Sequence, residues 1–206
     1  MPSRAYSSPS RDAAAAAKRA RVLSAASRLL GETENAALVS MEAVAKAAGV
    51  TRLTVYKQFG SRRGLLEAVF DERARLGGLG GILDALNLGD PRTGLDRIIE
   101  IFCDFWSADP SVGRLHDVAP LDPEFAQAVT ERNERRRKAL GALIDRLPRA
   151  GAKTPIDRVG AVDLIYALTS YPTYKALAGG RSKEAVCALL KVASRTLLAS
   201  IEAGAP

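Results

Sequence analysis

Residues 40–66 read SMEAVAKAAGVTRLTVYKQFGSRRGLL, and this stretch decides the fold. Ser40 is a helix N-cap followed by Glu42 in the first turn and by Val44, Ala45 and Ala48 on the inward side. Gly49 stops that helix, at a corner where the chain needs a positive φ that a Cβ disfavours. Thr51 caps a second short helix with Val55 and Phe59 inward. Gly60 ends it, and Ser61 opens a third through Leu65, Leu66, Val69 and Phe70. Small Ala45 and Ala48 allow close approach, and Val50 fills the corner. Two short helices meeting at a glycine in this way form the pattern of a helix-turn-helix, whose second helix enters the DNA major groove.

Charge concentrates around the same stretch. The chain of 206 residues carries 30 Lys and Arg against 23 Asp and Glu, a net +7. Residues 1–63 hold 11 basic and 4 acidic side chains, and the remainder holds 19 of each, so the excess lies in the first third. Such asymmetry points to a nucleic-acid-binding head on a neutral body. Two separated cysteines, Cys103 and Cys187, and a single histidine, His116, give neither a disulfide framework nor a metal site. No apolar run reaches the roughly 18 residues of a membrane span, which leaves a cytoplasmic protein without membrane contact as the expectation.

Outward from the core motif, residues 1–11 read as a disordered, Ser- and Pro-rich tail. A helix begins at Asp12, carries Val22, Leu23, Ala26, Leu29 and Leu30 on one face and ends at Gly31. The head is 12–60, and 61–81 is a connecting helix with a glycine joint at Gly77–Gly81. That GGLGG string lacks the Lys-Ser/Thr ending and the preceding strand of a phosphate loop. In the body, 82–206, one helix follows Asp90-Pro91 and carries Leu95, Ile98, Ile99, Phe102, Phe105 and Trp106. A short segment spans Ser111–Asp117. Asp122-Pro123-Glu124 starts a long helix to about Leu147. Thr154-Pro155-Ile156-Asp157 starts another to about Ala178, and Ser182 caps a last one to about Ile201. The expected fold is all-α, about nine helices, with an N-terminal three-helix DNA-binding domain and a C-terminal ligand-binding and dimerisation domain.

The stretch from Met41 to Leu66 closely resembles the TetR family of bacterial transcriptional regulators. The Gly-Val-Thr-Arg-Leu-Thr-Val-Tyr-Lys-Gln-Phe string followed by Ser-Arg-Arg-Gly-Leu-Leu carries the likeness, which covers about residues 20 to 75. The resemblance implies DNA contacts from Ser40, Thr51, Arg52, Leu53, Thr54, Tyr56 and Lys57, with Tyr56 and its neighbour reaching phosphates and the preceding threonines facing bases. Arg52 suits bidentate reading of a guanine, or a phosphate contact, or solvent. Arg62 and Arg63 sit in the first turn of a helix, where cations oppose the helix dipole, and a docked DNA phosphate would remove that conflict. Lys18, Arg19 and Arg21 are further candidates for flanking backbone. The chain departs from the family pattern at Glu34-Asn35, Leu53 and Gln58.

A double-stranded operator, a homodimer and a small-molecule effector are the partners this resemblance implies, with no cofactor and no enzymatic activity. The dimer reading rests on the last two long helices. Ile156, Val159, Val162, Leu164, Ile165 and Leu168 cover more than one face, as do Val186, Leu189, Leu190, Val192, Leu197, Leu198 and Ile201. Phe102, Phe105, Trp106, His116, Tyr166, Tyr171 and Tyr174 are candidate effector-pocket residues, with Pro172 expected to kink its helix and free a carbonyl. The charge run Glu131–Lys138 reads as a solvated face with pairs Glu131/Arg135 and Glu134/Lys138. The rival readings are a regulator without an inducer, for which a filled body core would speak, and a small all-α enzyme, for which no acid/base or nucleophile pair stands out.

Overall fold

A computed structural model describes residues 9–33, 39–148 and 156–202. Among these residues the chain forms eleven α-helices and two single 3-10 turns, without strands. They are α1 Pro9–Glu32, α2 Met41–Ala48, α3 Arg52–Phe59, α4 Arg62–Leu76, α5 Ile82–Leu86, α6 Pro91–Ala108, α7 Pro110–Val118, α8 Pro123–Ile144, α9 Arg158–Leu168, α10 Tyr171–Ala178 and α11 Lys183–Glu202. No helix among the described residues is long and apolar enough to cross a membrane.

The head forms as its caps dictate. The Ser40, Thr51 and Ser61 hydroxyls accept from the backbone N–H groups of Ala43, Thr54 and Gly64. Each cap is worth about 1 kcal/mol. Gly49 takes φ 64°, the left-handed conformation the turn requires. Val22, Ala26, Leu30, Val44, Ala45, Val55, Leu65 and Leu66 close a buried core among α1 to α4.

Several boundaries differ from the sequence expectation. Helix α1 starts at Pro9, inside the expected tail, and runs through Gly31 to Glu32. The Glu34-Asn35 turn and the Thr154-Pro155 helix start lie outside the described residues. Gly77–Gly81 is a turn that passes through a 3-10 turn at Leu79–Gly81 directly into α5, a helix the sequence reading did not separate. The segment before Asp122 is helical, because Asp109 caps α7 through the Ser111 N–H at 2.8 Å. The single helix expected up to Ala178 is two. It breaks at Thr169, and Ser170 caps α10 with Pro172 in its first turn. Proline is tolerated there because its missing N–H has no intrahelical partner to lose.

Body and head are joined at a polar cluster. Arg73 of α4 donates to Asp109 Oδ2 at 2.7 Å, and the Ser27 and Ser111 hydroxyls are hydrogen-bonded at 2.7 Å between α1 and α7. Burial by itself would raise the Asp109 carboxyl. The Ser111 hydrogen bonds and the Arg73 guanidinium outweigh it and hold the pKa below the usual range. Elsewhere in the body, α6 lies between α5, α8 and α11. Cys103 and Cys187, far apart in sequence, meet between α6 and α11, and burial beside that second thiol pushes Cys103 up to about 12, so it is no thiolate nucleophile at neutral pH.

Helix α6 approaches α5 and α8 closely at Gly94. A Cβ there would stand 2.8 Å from the Ala85 carbonyl oxygen and 2.9 Å from a Leu143 methyl. Gly94→Ala would gain about 1 kcal/mol of helix propensity, but overpacking costs about 1–3 kcal/mol. The expected result is a net loss of stability, read as a lower urea midpoint at unchanged m-value.

Candidate DNA interface and effector cavity

The outward side of α3 carries the DNA-binding candidates. Thr51, Arg52, Leu53, Tyr56 and Lys57 are exposed and Thr54 is half-buried, while Val55 faces the core. Leu53 is 62% exposed, an apolar side chain turned to solvent. Arg52 lies along Tyr56, with its guanidinium 5.3 Å from the ring centroid and 3.3 Å from the hydroxyl. That hydrogen bond to Tyr56 raises the arginine pKa further, so the side chain is a permanent cation. Ser40 is exposed at the start of α2.

The two cations at the start of α4 have partners within the chain. Arg62 donates to the Val39 carbonyl at 3.1 Å and to Asp122 Oδ2 at 3.2 Å, and Arg63 pairs with Glu67 at 2.5 Å. The dipole conflict read from the sequence is thus met by acids of α4 itself and of the α8 cap. Lys18, Arg19 and Arg21 are all exposed, and Arg19 lies over the Phe59 ring at 4.6 Å.

A cavity of about 620 Å³ opens in the body between α4, the 3-10 turn after it, α5, α6 and α8. This size is within the range of sites for drug-sized ligands. Phe102, Phe105 and Trp106 line it. His116, Tyr166, Tyr171 and Tyr174 do not. His116 stacks on Tyr171 and meets Trp106 edge-on, both at 5.3 Å. Tyr174 is buried core, and Tyr166 lies under the guanidinium groups of Arg136 and Arg137. Phe70, Leu79, Ile82, Leu83 and Leu86 complete the apolar lining.

The remaining wall is the part the sequence reading assigned to solvent. Arg132, Asn133, Arg135, Arg136, Lys138 and Ala139 of α8 line the cavity. The expected i, i+4 pairs do not form: Glu131 accepts from Gln127 and Glu134 pairs with Arg137. A signal was present, because Arg132 and Arg136 continue the apolar stripe of Phe125, Val129, Leu140 and Leu143, where an arginine is out of place.

Helix α3 of a three-helix head, with exposed polar and basic side chains, joined through α4 to a helical body that holds a ligand-sized cavity, defines a helix-turn-helix DNA-binding regulator. The model of bacterial regulatory proteins of the tetR family matches residues 22–69. The HTH-type transcriptional regulator EthR of Mycolicibacterium smegmatis is 30% identical over 154 residues, 73% of this chain and 69% of that protein. The chain belongs to the TetR family and is a DNA-binding transcriptional regulator. Among solved structures, a TetR transcription regulator from Haloarcula marismortui aligns with a TM-score of 0.66 at 17% identity, over 90% of this chain and 98% of that one. LfrR of Mycobacterium smegmatis, solved in complex with proflavine, aligns at 0.58 and 22% identity, over 89% and 97%.

His116 supplies a pH dependence. Burial, and secondarily the nearby Arg136 cation, lower its pKa from 6.5 to about 4. The unfolded chain therefore binds a proton that the folded chain refuses. Stability is full above pH 6.5 and falls as pH drops through the window to about 4, by about 3 kcal/mol at most. In His116→Phe that component is expected to vanish, so denaturant midpoints measured across this window should fall less steeply than in the wild type.

Proposed function

We propose that the chain is a cytoplasmic homodimeric repressor whose hold on its operator is released by a small molecule in the α4–α8 cavity. The observation that carries this reading is the position of α4. It begins three residues after the recognition helix ends at Phe59, and its Phe70, Asp71 and Ala74 form part of the cavity wall. An occupant that favours a different placement of α4 therefore re-aims α3, and the coupling equals the ligand's differential affinity for the two arrangements. The open cavity supports this over the inducer-free reading, which calls for a filled body.

In the bound state, Thr51, Arg52 and Thr54 face base edges and Tyr56, Lys57 and Ser40 approach phosphates, with Leu53 against a base or sugar. Arg62 and Arg63 reach phosphate by exchanging Asp122 and Glu67 for it. Band shifts on the DNA upstream of the chain's own gene test this. The triple variant Arg52→Ala, Tyr56→Ala, Lys57→Ala should lose at least tenfold in affinity. Its salt dependence should also be shallower, by about 0.9 in the log–log slope for each phosphate no longer neutralised. Undiminished binding would overturn the assignment.

The dimer forms through α9 and α11. Val159, Leu164, Leu189 and Val192 are 45–68% exposed on these two helices, while Ala161, Ile165, Val186, Leu190 and Leu198 of the same helices are buried within the subunit. A helix pair with apolar side chains on both faces suits a second copy presenting the same pair, and two heads suit a two-fold operator. Leu189→Asp with Val192→Asp should give a folded monomer in sedimentation velocity, with operator affinity reduced at least tenfold.

A further inference from the structure

Within the run Glu131–Lys138, Arg132 and Arg137 have carboxylate partners and Arg135 is exposed to solvent. Arg132 donates to Asp71 at 2.6 Å, and Arg137 pairs with Asp163. Arg136 is different. It is 6% exposed, and among the described residues no carboxylate stands within ion-pair distance of it. Its Nη1 donates to the Thr169 carbonyl at 2.9 Å, and the rings of Tyr166 and Phe102 lie 4.3 and 5.1 Å from its guanidinium carbon. Its Nε is buried with no hydrogen-bond partner. A guanidinium stays charged in any protein. Burying it without a counter-charge is costly, and the usual resolution is a carboxylate in bidentate contact.

That cation stands in the cavity wall, beside Trp106 and Phe102. The whole lining carries four cations, Arg132, Arg135, Arg136 and Lys138, against the single carboxylate of Asp71, which Arg132 already holds. The rest is apolar. A wall of this kind repels a cationic occupant and leaves a neutral one with an unmatched charge. It is complementary to a molecule with an apolar body and one anionic head.

We infer that the effector is an amphipathic carboxylate, its apolar body between Phe70, Leu86, Phe102 and Trp106 and its carboxylate paired with Arg136. The inference rests on the cavity being the effector site, as proposed above. Arg136 also fixes how the occupant is sensed. Thr169 ends α9, and its carbonyl is left over by the helix break, since Pro172 lacks an N–H and the Thr173 N–H is taken by Ser170 Oγ. Both Arg136 and Trp106 Nε1 donate to that one oxygen, at 2.9 and 3.0 Å. A carboxylate that draws on Arg136 therefore acts on the junction of α9, the helix assigned to the dimer contact.

Trp106 is the chain's one tryptophan and lines the cavity, so its emission serves as a probe of this site. Decanoate, decanol and decyltrimethylammonium, all below their micelle concentrations, share one tail and differ in head charge. Decanoate is expected to change the emission saturably, with decanol at least tenfold weaker and the cation weaker still. Arg136→Met should weaken decanoate at least tenfold while decanol binds unchanged or tighter, and Arg136→Lys should lie between. Decanol or the cation binding the wild type as well as decanoate, or decanoate binding Arg136→Met unchanged, would overturn the carboxylate while leaving the cavity as effector site. Failure of all three probes to bind would overturn both. Should Arg136→Met not fold, as judged by circular dichroism melting, the wild-type ranking of the three heads decides.

Discussion

The Asp109 carboxylate is where the two halves of the molecule are held in register. It caps α7, accepts from Arg73 of α4 and lies within reach of Ser27 of α1. Helix α1 belongs to the head, α7 to the body and α4 connects the two, so one side chain ties the connecting helix to both halves. A carboxylate in this place satisfies the Ser111 N–H, which would otherwise be left unpaired, and neutralises Arg73. The second tie, Arg62 to Asp122, repeats the device with a different cap, that of α8. Both ties consist of a cation on α4 and the N-cap of a body helix. Helix α4 is therefore the element that can pass a change in the body to the DNA-binding surface.

The other wall of that route is α8, where the packing leaves the charge distribution uneven. Arg132 and Arg137 are matched, and Arg136 between them is not. If the cavity is the effector site proposed above, an unmatched buried cation stores specificity: the occupant that completes it gains an interaction that water and apolar contacts do not supply. Stability and response are then in tension at one residue, and the Thr169 carbonyl and the Tyr166 ring supply the partial compensation that lets the protein fold around it.

How much of this was legible in the chain differs between head and body. Helices α2 to α4 were readable because every deciding feature is local. Ser40, Thr51 and Ser61 cap helices three residues away from their targets, and Gly49 and Gly60 mark turns whose φ values no neighbour imposes. The aromatic wall of Phe102, Phe105 and Trp106 was readable as one helical face. The run at 131–138 was misread because i, i+4 charge spacing describes a helix alone. Which of those side chains meet Asp71, Asp163 or nothing is set by α4 and α9, far away in sequence. The break between α9 and α10 was underestimated for a related reason: Pro172 admits either a kink or a new helix start, and the caps of Thr169 and Ser170 decide between them.

By itself, then, the amino-acid order determined an all-helical chain with a basic helix-turn-helix head, since caps, glycine turns and a 3.6-residue apolar period act over a few residues and need no partner. Only the tertiary structure decided which apolar faces of α9 and α11 stay exposed, which aromatic residues border a cavity, and that Arg136 is buried there with no acid beside it among the described residues. Burial and pairing of a side chain depend on what distant helices bring beside it, and no local pattern records that.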